Sequence, residues 1–454
     1  MFRIFLISCL LLLSVPAMAD DSLFTMPEPE GWTDASTEDI SHFISPDEAV
    51  NLYGFAIEGG DAAAAAAQLG FEGAPLQSTE IPLPAITWIQ DVYILDTGDL
   101  LVVLHYTAED GYIYVIGIQG SQSAVAANNS VLNNTLLNFE IHSVDTSVPS
   151  APYADPTQYT ETDVAVITGR WELGGTLLLP TSDELVPAVV IVHGSGPQDR
   201  DATIYGINKP YRDLAEGLAS NGVAVLRYDK RTFVYGVDMA DDYVYATIQE
   251  ETIDDALSAI ELLRNTPGID PDRIYVAGHS LGGMIAPEIA RQDGHLAGII
   301  IMAGNSRPLV DLTLEQLDYL GSLPVNNNAA GRAALDEMRV DMQAIQALTA
   351  ESDPNQFLFG AYITYWLDLN AHNQVETAQA LNIPILVLQG ERDYQVTMTD
   401  FEIWRAALPD ATFISYPALN HMFLAGEGMS TPAEYAVAGH IPEEVITDIV
   451  DWIE

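Results

Sequence analysis

The sequence predicts an α/β fold, in which a mostly parallel sheet is covered by helices on both faces, preceded by a small α+β domain. Three observations lead to this prediction. Continuous apolar runs alternate with helix-like segments over residues 164–454, as in a sheet buried on both faces. A serine flanked by glycines stands where one such run meets a helix, at residues 278–283. Before residue 143, shorter runs rich in β-branched and aromatic residues are typical of strands in a separate unit.

Residues 1–19 have the pattern of an export signal peptide. A short positive start, Met1-Phe2-Arg3, precedes an apolar run, and Ala17-Met18-Ala19 has the A-x-A pattern of a cleavage site. A membrane anchor is the weaker alternative because the apolar run is too short to span a bilayer comfortably, so no stable membrane insertion is expected. Cys9, the only cysteine, lies inside this segment. We therefore expect an exported protein, periplasmic or extracellular, that uses no disulfides.

The chain is strongly acidic. It has 65 acidic and 16 basic residues, for a formal net charge of −49. Such a surface repels nucleic acid and anionic membranes, so neither is an expected partner. Because the acidic residues are spread along the chain, the composition fits a protein that stays soluble in high salt, where charges are screened. An ordinary acidic exported protein explains it equally well, and neither alternative predicts an oligomeric state.

Residues 23–142 form the predicted α+β accessory domain. Its strand-like runs fall at 50–57, 87–95, 100–106 and 112–118, and its helix-like segments at 61–69 and 123–138. The sequence of this domain has no glycine-rich phosphate loop, metal-ligand cluster or catalytic pair of carboxylates, so no chemistry is assigned to it. Residues 143–163 are rich in proline and serine and have no periodicity, which predicts an extended linker.

The catalytic domain is predicted over residues 164–454. Its strands are expected at 164–168, 172–179, 188–193, 223–228, 273–277, 299–302, 383–389 and 412–416, and its helices at 209–221, 249–265, 284–291 and 442–453. Residues 307–381 contain helix-like segments and no strand-like run. Because they are inserted between two strands on the side where the strands end, we expect a helical lid over the site. Helices that merely pad the edge of the sheet are the alternative.

Residues 278–283 have the sequence Gly-His-Ser-Leu-Gly-Gly. This G-x-S-x-G pattern directly follows a strand-like run and opens a helix-like one, which predicts a nucleophile elbow with Ser280 at its tip. The neighbours must be glycine because the chain visits a positive φ angle there and the helix packs close to the strand. Chance occurrence of the short pattern is the alternative, and the strand-to-helix context makes it weak.

A nucleophilic serine needs a base, and the base needs a carboxylate that orients it. On the loop after a buried strand, Asp393 is the first choice for the acid and Glu391 the second, because Glu391 can still belong to the turn itself. On the loop after the next strand, His421 is preferred as the base over His440, which stands at the start of the last helix. The predicted order along the chain is Ser280, Asp393, His421, which is the order of the nucleophile-elbow enzymes.

The predicted oxyanion hole needs two backbone N–H groups that face the developing negative charge. One is expected from Leu281, directly after the nucleophile. The other is expected from Ser195, with Gly196 as the alternative, in a glycine-rich loop after a buried strand. His193 stands at the end of that strand, where a structural role in shaping the loop is favoured over a role as a base.

The only two lysines, Lys209 and Lys230, lie in one short stretch with four arginines and four aspartates, on the predicted rim of the site. The arginines are Arg200, Arg212, Arg227 and Arg231, and the aspartates are Asp199, Asp201, Asp213 and Asp229. Structural ion pairs are the favoured interpretation of this stretch. Orientation of a substrate carboxylate or carbonyl is the alternative.

Three segments together resemble bacterial α/β-hydrolases: His-Gly-Ser-Gly-Pro-Gln-Asp-Arg-Asp at 193–201, Arg-Tyr-Asp-Lys-Arg at 227–231, and the elbow at 278–283. The most similar branch is that of secreted esterases, often grouped with dienelactone-hydrolase-like and serine-aminopeptidase-like proteins. The resemblance covers residues 164–454 and implies the α/β-hydrolase fold. It also implies a carboxylesterase with a Ser-Asp-His triad, which cleaves short acyl or aryl esters through an acyl-enzyme on Ser280.

Three alternatives to the esterase remain. A serine peptidase or amidase would use the same triad, and like the esterase it would need no metal and no cofactor. An acyl-CoA thioesterase is disfavoured by export and by the acidic surface. A binding protein with a vestigial hydrolase unit is disfavoured because a degenerate site usually loses one member of the triad. For the accessory domain alone, binding is the default expectation.

Overall fold

The structure is a computed structural model in which the chain divides into two compact units, Met1–Ser147 and Val148–Glu454. It describes residues 148–454 except 205–206, 237–245 and 328, and, earlier in the chain, 17–18 and 23–141 except 30, 38–39, 59–61, 70, 72–73, 83–86, 96, 109–110, 129–130, 133–134 and 136–138. The predicted signal peptide therefore lies outside the described residues, apart from Ala17 and Met18. None of the described helices is both long and apolar enough to cross a membrane.

The first unit is built on an antiparallel sheet. Its described strands are β1 (Ala17–Met18), β2 (Phe24–Thr25), β3 (Thr33–Asp34), β4 (Ser41–Ile44), β5 (Val50–Glu58), β6 (Gln77–Pro82), β7 (Thr87–Ile94), β8 (Leu100–Thr107), β9 (Tyr112–Gly120) and β10 (Glu140–Ile141), and its helices are α1 (Ala62–Gln68) and α2 (Gln122–Ala127). The order in the sheet is β3-β4-β5-β9-β8-β7-β6, with β1 beside β5, and β2 pairs with β10. The four predicted strands correspond to β5, β7, β8 and β9 and are confirmed.

Apolar side chains cover both faces of this sheet. Along β5, Leu52 and Ala56 join a cluster on one face, and Phe55 and Ile57 join a cluster with α1 on the other, as the two-residue period of a strand requires. Of the helix predicted at 123–138, α2 is the continuous described part, and the described residues 131, 132 and 135 are also helical. Helix α2 begins after Ser121, whose hydroxyl accepts a hydrogen bond from the N–H of Ala124 at 3.2 Å.

The second unit carries an eight-stranded, mostly parallel sheet. Its strands are β11 (Tyr159–Thr168), β12 (Trp171–Pro180), β13 (Val186–Val192), β14 (Ala224–Tyr228), β15 (Ile269–His279), β16 (Gly298–Met302), β19 (Ile385–Gly390) and β20 (Thr412–Tyr416), and a separate ribbon is formed by β17 (Phe357–Leu358) and β18 (Ala361–Tyr362). The order is β11-β12-β14-β13-β15-β16-β19-β20. Only the pairs of β12, with β11 and with β14, are antiparallel.

Helices cover both faces of this sheet. They are α3 (Pro210–Ser220), α4 (Arg231–Val234), α5 (Asp254–Arg264), α6 (Leu281–Asp293), α7 (Leu309–Ser322), α8 (Ala329–Gln346), α9 (Ile363–Ala371), α10 (Gln374–Gln379), α11 (Met398–Ala407) and α12 (Glu443–Ile453). Along β13, Val189 and Ile191 pack in the cluster that includes α3 and α12, whereas Val190 and Val192 pack in the cluster that includes α5 and α6. Every residue of β13 is buried, which explains its continuous apolar sequence.

Several elements of this unit differ from the sequence expectation. β11 begins at Tyr159, so residues 159–163, predicted to end the linker, pair with β12 instead. This edge segment is mostly polar and exposed, so its sequence carries no buried strand pattern. The helix predicted at 249–265 begins with a π-helical turn, Gln249–Ile253, before α5. The segment 307–381, predicted to have no strand, contains the β17–β18 ribbon as well as α7 to α10.

Candidate active site

Ser280 occupies the turn between β15 and α6, where the sequence predicted it. Its φ angle is 55° and its ψ angle −117°, a backbone conformation that costs a non-glycine residue about 1–3 kcal/mol. Its N–H donates to the carbonyl of Met302 at 2.9 Å, and its carbonyl accepts from the N–H of Met284 at 2.9 Å. These two bonds hold the strained backbone between β16 and the first turn of α6.

The three glycines of the elbow have no room for a side chain. A Cβ atom on Gly282 would overlap the carbonyl oxygen of Val192 and lie 2.6 Å from that of His193. A Cβ atom on Gly278 would lie 2.7 Å from the backbone nitrogen of Gly283, and one on Gly283 would lie 2.9 Å from the carbonyl oxygen of Gly278. Because these neighbours are backbone atoms, the close approach of α6 to β13 and β15 requires glycine.

We expect Gly282→Ala to destabilise the protein by about 1–3 kcal/mol, since the added methyl group forces α6 away from β13. The matched control is Gly321→Ala in α7, where a Cβ atom would meet, among the described residues, only Leu335 Cδ1, at 3.7 Å. The Gly321→Ala substitution should not destabilise the protein, because alanine is a better helix former than glycine. Urea unfolding midpoints of both variants and wild type provide the measurement. A midpoint of Gly282→Ala equal to that of wild type would contradict the packing.

Asp393 and His421 are joined by a hydrogen bond of 2.6 Å between Oδ2 and Nδ1. Asp393 follows β19, His421 follows β20, and both side chains are buried. The second carboxylate oxygen accepts from the N–H groups of Gln395 at 2.7 Å and Val396 at 3.0 Å. Gln389 Nε2 also donates to Oδ2, at 3.1 Å. Because a carboxylate only accepts, His421 Nδ1 carries the proton of the bond to Asp393 Oδ2. The lone pair of a neutral His421 therefore lies on Nε2, where a general base needs it.

The second choices for the acid and the base lie in other surroundings. Glu391 is exposed and accepts a hydrogen bond from the Ser415 hydroxyl at 2.9 Å. His440 pairs through Nδ1 with Asp213 at 3.0 Å. Within the described part of the chain, neither forms a hydrogen bond to the first-choice pair, so the geometry favours the first choices.

His279, the residue before Ser280, connects three loops of the site, a role that the sequence pattern does not indicate. Its Nε2 lies 2.9 Å from the carbonyl of His421, and its Nδ1 lies 3.1 Å from the hydroxyl of Tyr211. A carbonyl only accepts, so Nε2–H donates to it and Nδ1 accepts from Tyr211. The Tyr211 hydroxyl accepts in turn from the N–H of Gly194 at 3.3 Å. The ring centroids of His279 and His421 lie 4.7 Å apart, so the predicted base lies next to the elbow.

Two buried histidines near the site are neutral at physiological pH. Burial, together with the neighbouring His421, lowers the pKa of His279 to about 3. Burial, together with the Lys230 ammonium, lowers the pKa of His193 to about 3. The ring of His193 packs edge-on between those of Tyr211 and Tyr228, at 5.6 and 5.1 Å. This packing fits the structural role predicted for His193.

The loop after β13 runs alongside the elbow. A Cβ atom added to Gly194 would lie 3.2 Å from the Cβ atom of Ser280. Gly196 has a φ angle of 80°, which favours glycine, and Ser195 between the two glycines is exposed. Leu281 is the first residue of α6, and an N–H group at that position has no partner inside its own helix. The structure thus brings both predicted oxyanion donors, Leu281 and Ser195, to the surroundings of Ser280.

The cations predicted to form ion pairs do so. Arg200 pairs with Asp229 at 2.6 Å, and Asp201 pairs with both Arg227 and Lys209. The remaining cations, Arg212, Lys230 and Arg231, have partners that the sequence did not identify. These are Glu216 at 3.8 Å from Arg212, Glu251 at 2.5 Å from Lys230, and Asp255 beside Arg231. The last two partners lie on the π-helical turn and on α5.

The helical cap, residues 307–381, contacts the loop that carries Asp393. In α7, Gln316 Nε2 donates to the carbonyl of Gln395 at 2.9 Å, and the ring of Tyr319 stacks on that of Tyr394 at 5.0 Å. These contacts place α7 beside the loop of Asp393, and the lid stays a prediction.

The cap is also fixed at its start. The buried Asp400 lies on α11, a helix that the sequence patterns do not predict. Its carboxylate accepts hydrogen bonds from the N–H groups of Ser306 at 2.9 Å and Arg307 at 3.0 Å. The guanidinium of Arg307 pairs with the same carboxylate at 2.6 Å. The chain therefore enters the cap from a fixed point beside β16.

Comparison with known proteins finds a family model, a relative and solved structures that this chain resembles. The model of the Alpha/beta hydrolase family matches residues 189–438. Esterase EstD of Thermotoga maritima is 40% identical over 304 residues, which cover 66% of this chain and 69% of that protein. Among solved structures, the Pyrococcus furiosus esterase Pf2001 has a TM-score of 0.43 and 16% identity, over 68% of this chain and 96% of that one. Est1E from Butyrivibrio proteoclasticus has a TM-score of 0.41 and 15% identity, over 64% and 98%.

Proposed function

Because the chain belongs to the α/β-hydrolase family and is an enzyme of its esterase type, we propose that it is a serine carboxylesterase for short acyl or aryl esters. The observation that carries the proposal is the 2.6 Å hydrogen bond between His421 and Asp393, beside an elbow that holds Ser280 in a strained conformation. The similarity to esterase EstD supports an ester as the substrate.

The proposed reaction begins with acylation of Ser280. Its Oγ attacks the ester carbonyl while His421 Nε2 takes the hydroxyl proton, and Asp393 stabilises the imidazolium that forms. The N–H groups of Leu281 and Ser195 stabilise the negative oxygen of the tetrahedral intermediate. The intermediate then collapses, and the alcohol leaves with the proton from His421.

Deacylation repeats these steps with water as the nucleophile. His421 takes a proton from the water molecule that attacks the acyl-enzyme carbonyl, and it returns the proton to the Ser280 oxygen as the carboxylic acid leaves. The same two N–H groups stabilise the second oxyanion. The 2.9 Å hydrogen bond from His279 to the carbonyl of His421 supports this assignment, because it fixes the base relative to the elbow through both steps.

The experiment that tests the function compares p-nitrophenyl esters, from acetate to palmitate, with p-nitroacetanilide as the matched amide. We expect kcat/KM to be highest for the short esters and to fall towards palmitate, and we expect much slower cleavage of the anilide. Release of the nitrophenol and nitroaniline chromophores gives both rates. Faster cleavage of the anilide would favour the peptidase alternative, and no turnover of any ester would contradict the proposal.

A further inference from the structure

Lys230 forms two hydrogen bonds to the loop that carries the predicted oxyanion donor Ser195. Its ammonium donates to the carbonyl oxygen of Gly194 at 2.8 Å, and its backbone N–H donates to the carbonyl of Gln198 at 3.0 Å. One residue therefore holds both ends of the segment 194–198. The first of these bonds involves the peptide group that leads into Ser195.

The carbonyl of Gly194 and the N–H of Ser195 belong to one peptide group. That group is planar and trans, so its N–H points away from its C=O. With the oxygen bound to the Lys230 ammonium, the N–H of Ser195 is directed away from the lysine. A Cβ atom added to Gly194 would lie only 3.2 Å from the Cβ atom of Ser280, so this peptide lies beside the predicted nucleophile. Its orientation therefore decides whether an N–H or a C=O faces a bound substrate.

The charge of the Lys230 ammonium also makes the N–H of Ser195 a stronger hydrogen-bond donor. A charged donor makes a stronger bond to a carbonyl than a neutral one does, and it polarises the whole amide. Hydrogen bonds that share an amide in this way strengthen one another by roughly 10–30%. Lys230 is only 2% exposed, so water screens this effect little.

Stability alone does not explain why Lys230 forms a buried ion pair. Its partner Glu251 is also buried and accepts a second hydrogen bond, from the hydroxyl of Thr252 at 2.5 Å. Replacing such a buried pair by apolar side chains is often neutral or stabilising, because two charges must be removed from water. A contact with the loop beside the nucleophile gives the lysine a function that an apolar residue lacks.

We propose that Lys230 is a positioning residue of the oxyanion hole. Its ammonium orients and polarises the peptide between Gly194 and Ser195, so that the N–H of Ser195 meets the negative oxygen of the tetrahedral intermediate. This inference rests on the proposed serine esterase function, and Lys230 itself touches neither the substrate nor the proton that moves.

The test uses the double variant Lys230→Met/Glu251→Gln, which removes the ammonium without leaving its partner as an unpaired buried charge. The matched control is Arg231→Met/Asp255→Asn, which removes a neighbouring buried ion pair that makes no hydrogen bond to the loop in the described structure. For each protein, kcat and KM on p-nitrophenyl acetate, the melting temperature and Ki for an aryl trifluoromethyl ketone are measured. The ketone adds to Ser280 as a hemiketal, whose oxyanion reports on the hole directly.

We expect kcat of the Lys230 double variant to fall by about 10-fold. Loss of a complete oxyanion donor lowers kcat by about 100- to 1,000-fold. The smaller loss is expected because the Ser195 N–H is weakened and not removed. Its Ki for the ketone should rise by about the same factor, since both report on the same oxyanion. KM should change by less than about 2-fold because the ground-state ester carries no such charge. The control should lose stability and keep both kcat and Ki.

Two results would overturn the inference while the esterase function stands. One is wild-type kcat and ketone affinity in the Lys230 double variant. The other is an equal loss in both double variants, which would assign the effect to stability. If wild type itself turns over no ester, the proposed function fails first, and the inference fails with it.

Discussion

Replacing Ser280 with alanine is expected to lower kcat on a short p-nitrophenyl ester by about 10⁶-fold, the scale on which loss of a serine nucleophile acts in such triads. The variant lacks the proposed nucleophile, so no acyl-enzyme forms on this residue and water must attack the ester directly. The folded structure should persist, because alanine keeps the Cβ atom and the backbone bonds to Met302 and Met284. Initial rates at high enzyme concentration and a thermal melt provide the measurements.

The control for Ser280→Ala is Ser415→Ala, which removes a hydroxyl bonded to the exposed Glu391. This variant should retain the wild-type rate. A fluorophosphonate probe should label wild type and Ser415→Ala but not Ser280→Ala. Activity or labelling that survives in Ser280→Ala would end the assignment of this residue as the nucleophile.

The second large effect is expected for Asp393→Asn, with a loss in kcat of about 10⁴-fold. The carboxylate oxygen Oδ1 accepts from the N–H groups of Gln395 and Val396, so the amide oxygen of asparagine takes that place. The amide NH₂ then faces His421 Nδ1 and donates to it. A histidine that accepts at Nδ1 carries its proton on Nε2, where it cannot take one from Ser280.

The control for this prediction is Glu391→Gln, which neutralises the second-choice carboxylate. Its kcat/KM should stay close to wild type, because Glu391 is exposed and bonded to Ser415. Both variants are compared by kcat/KM on p-nitrophenyl acetate. A large loss in Glu391→Gln together with a wild-type rate in Asp393→Asn would reverse the assignment of the acid.

Much of the second unit could be predicted because its signals are local. The buried strands are continuous apolar runs, and the elbow is a short pattern of glycines around Ser280 at the end of one of them. The strand ends also located the loops of Asp393 and His421, since parallel strands bring their ends to one edge of the sheet. The catalytic roles of these residues, and export of the protein, stay predictions.

Features that depend on contacts distant in the sequence could not be predicted. His279 fills a variable position of the G-x-S-x-G pattern, so nothing in the pattern indicates its bonds to Tyr211 and His421. The partner of Lys230 lies on a π-helical turn that a helical periodicity does not distinguish. The edge residues 159–163 are polar, and only their pairing with β12 makes them a strand.

The insertion of the cap between β16 and β19 has a consequence for biosynthesis. The parallel pairing of these strands closes only after the whole cap has been translated, and loops of this length delay folding. At roughly 5–20 residues per second, His421 leaves the ribosome well after Ser280. The nascent chain would therefore carry the proposed nucleophile before the proposed base has been translated. If the proposed triad is correct, a polypeptide released before β20 would lack His421 and would be inactive.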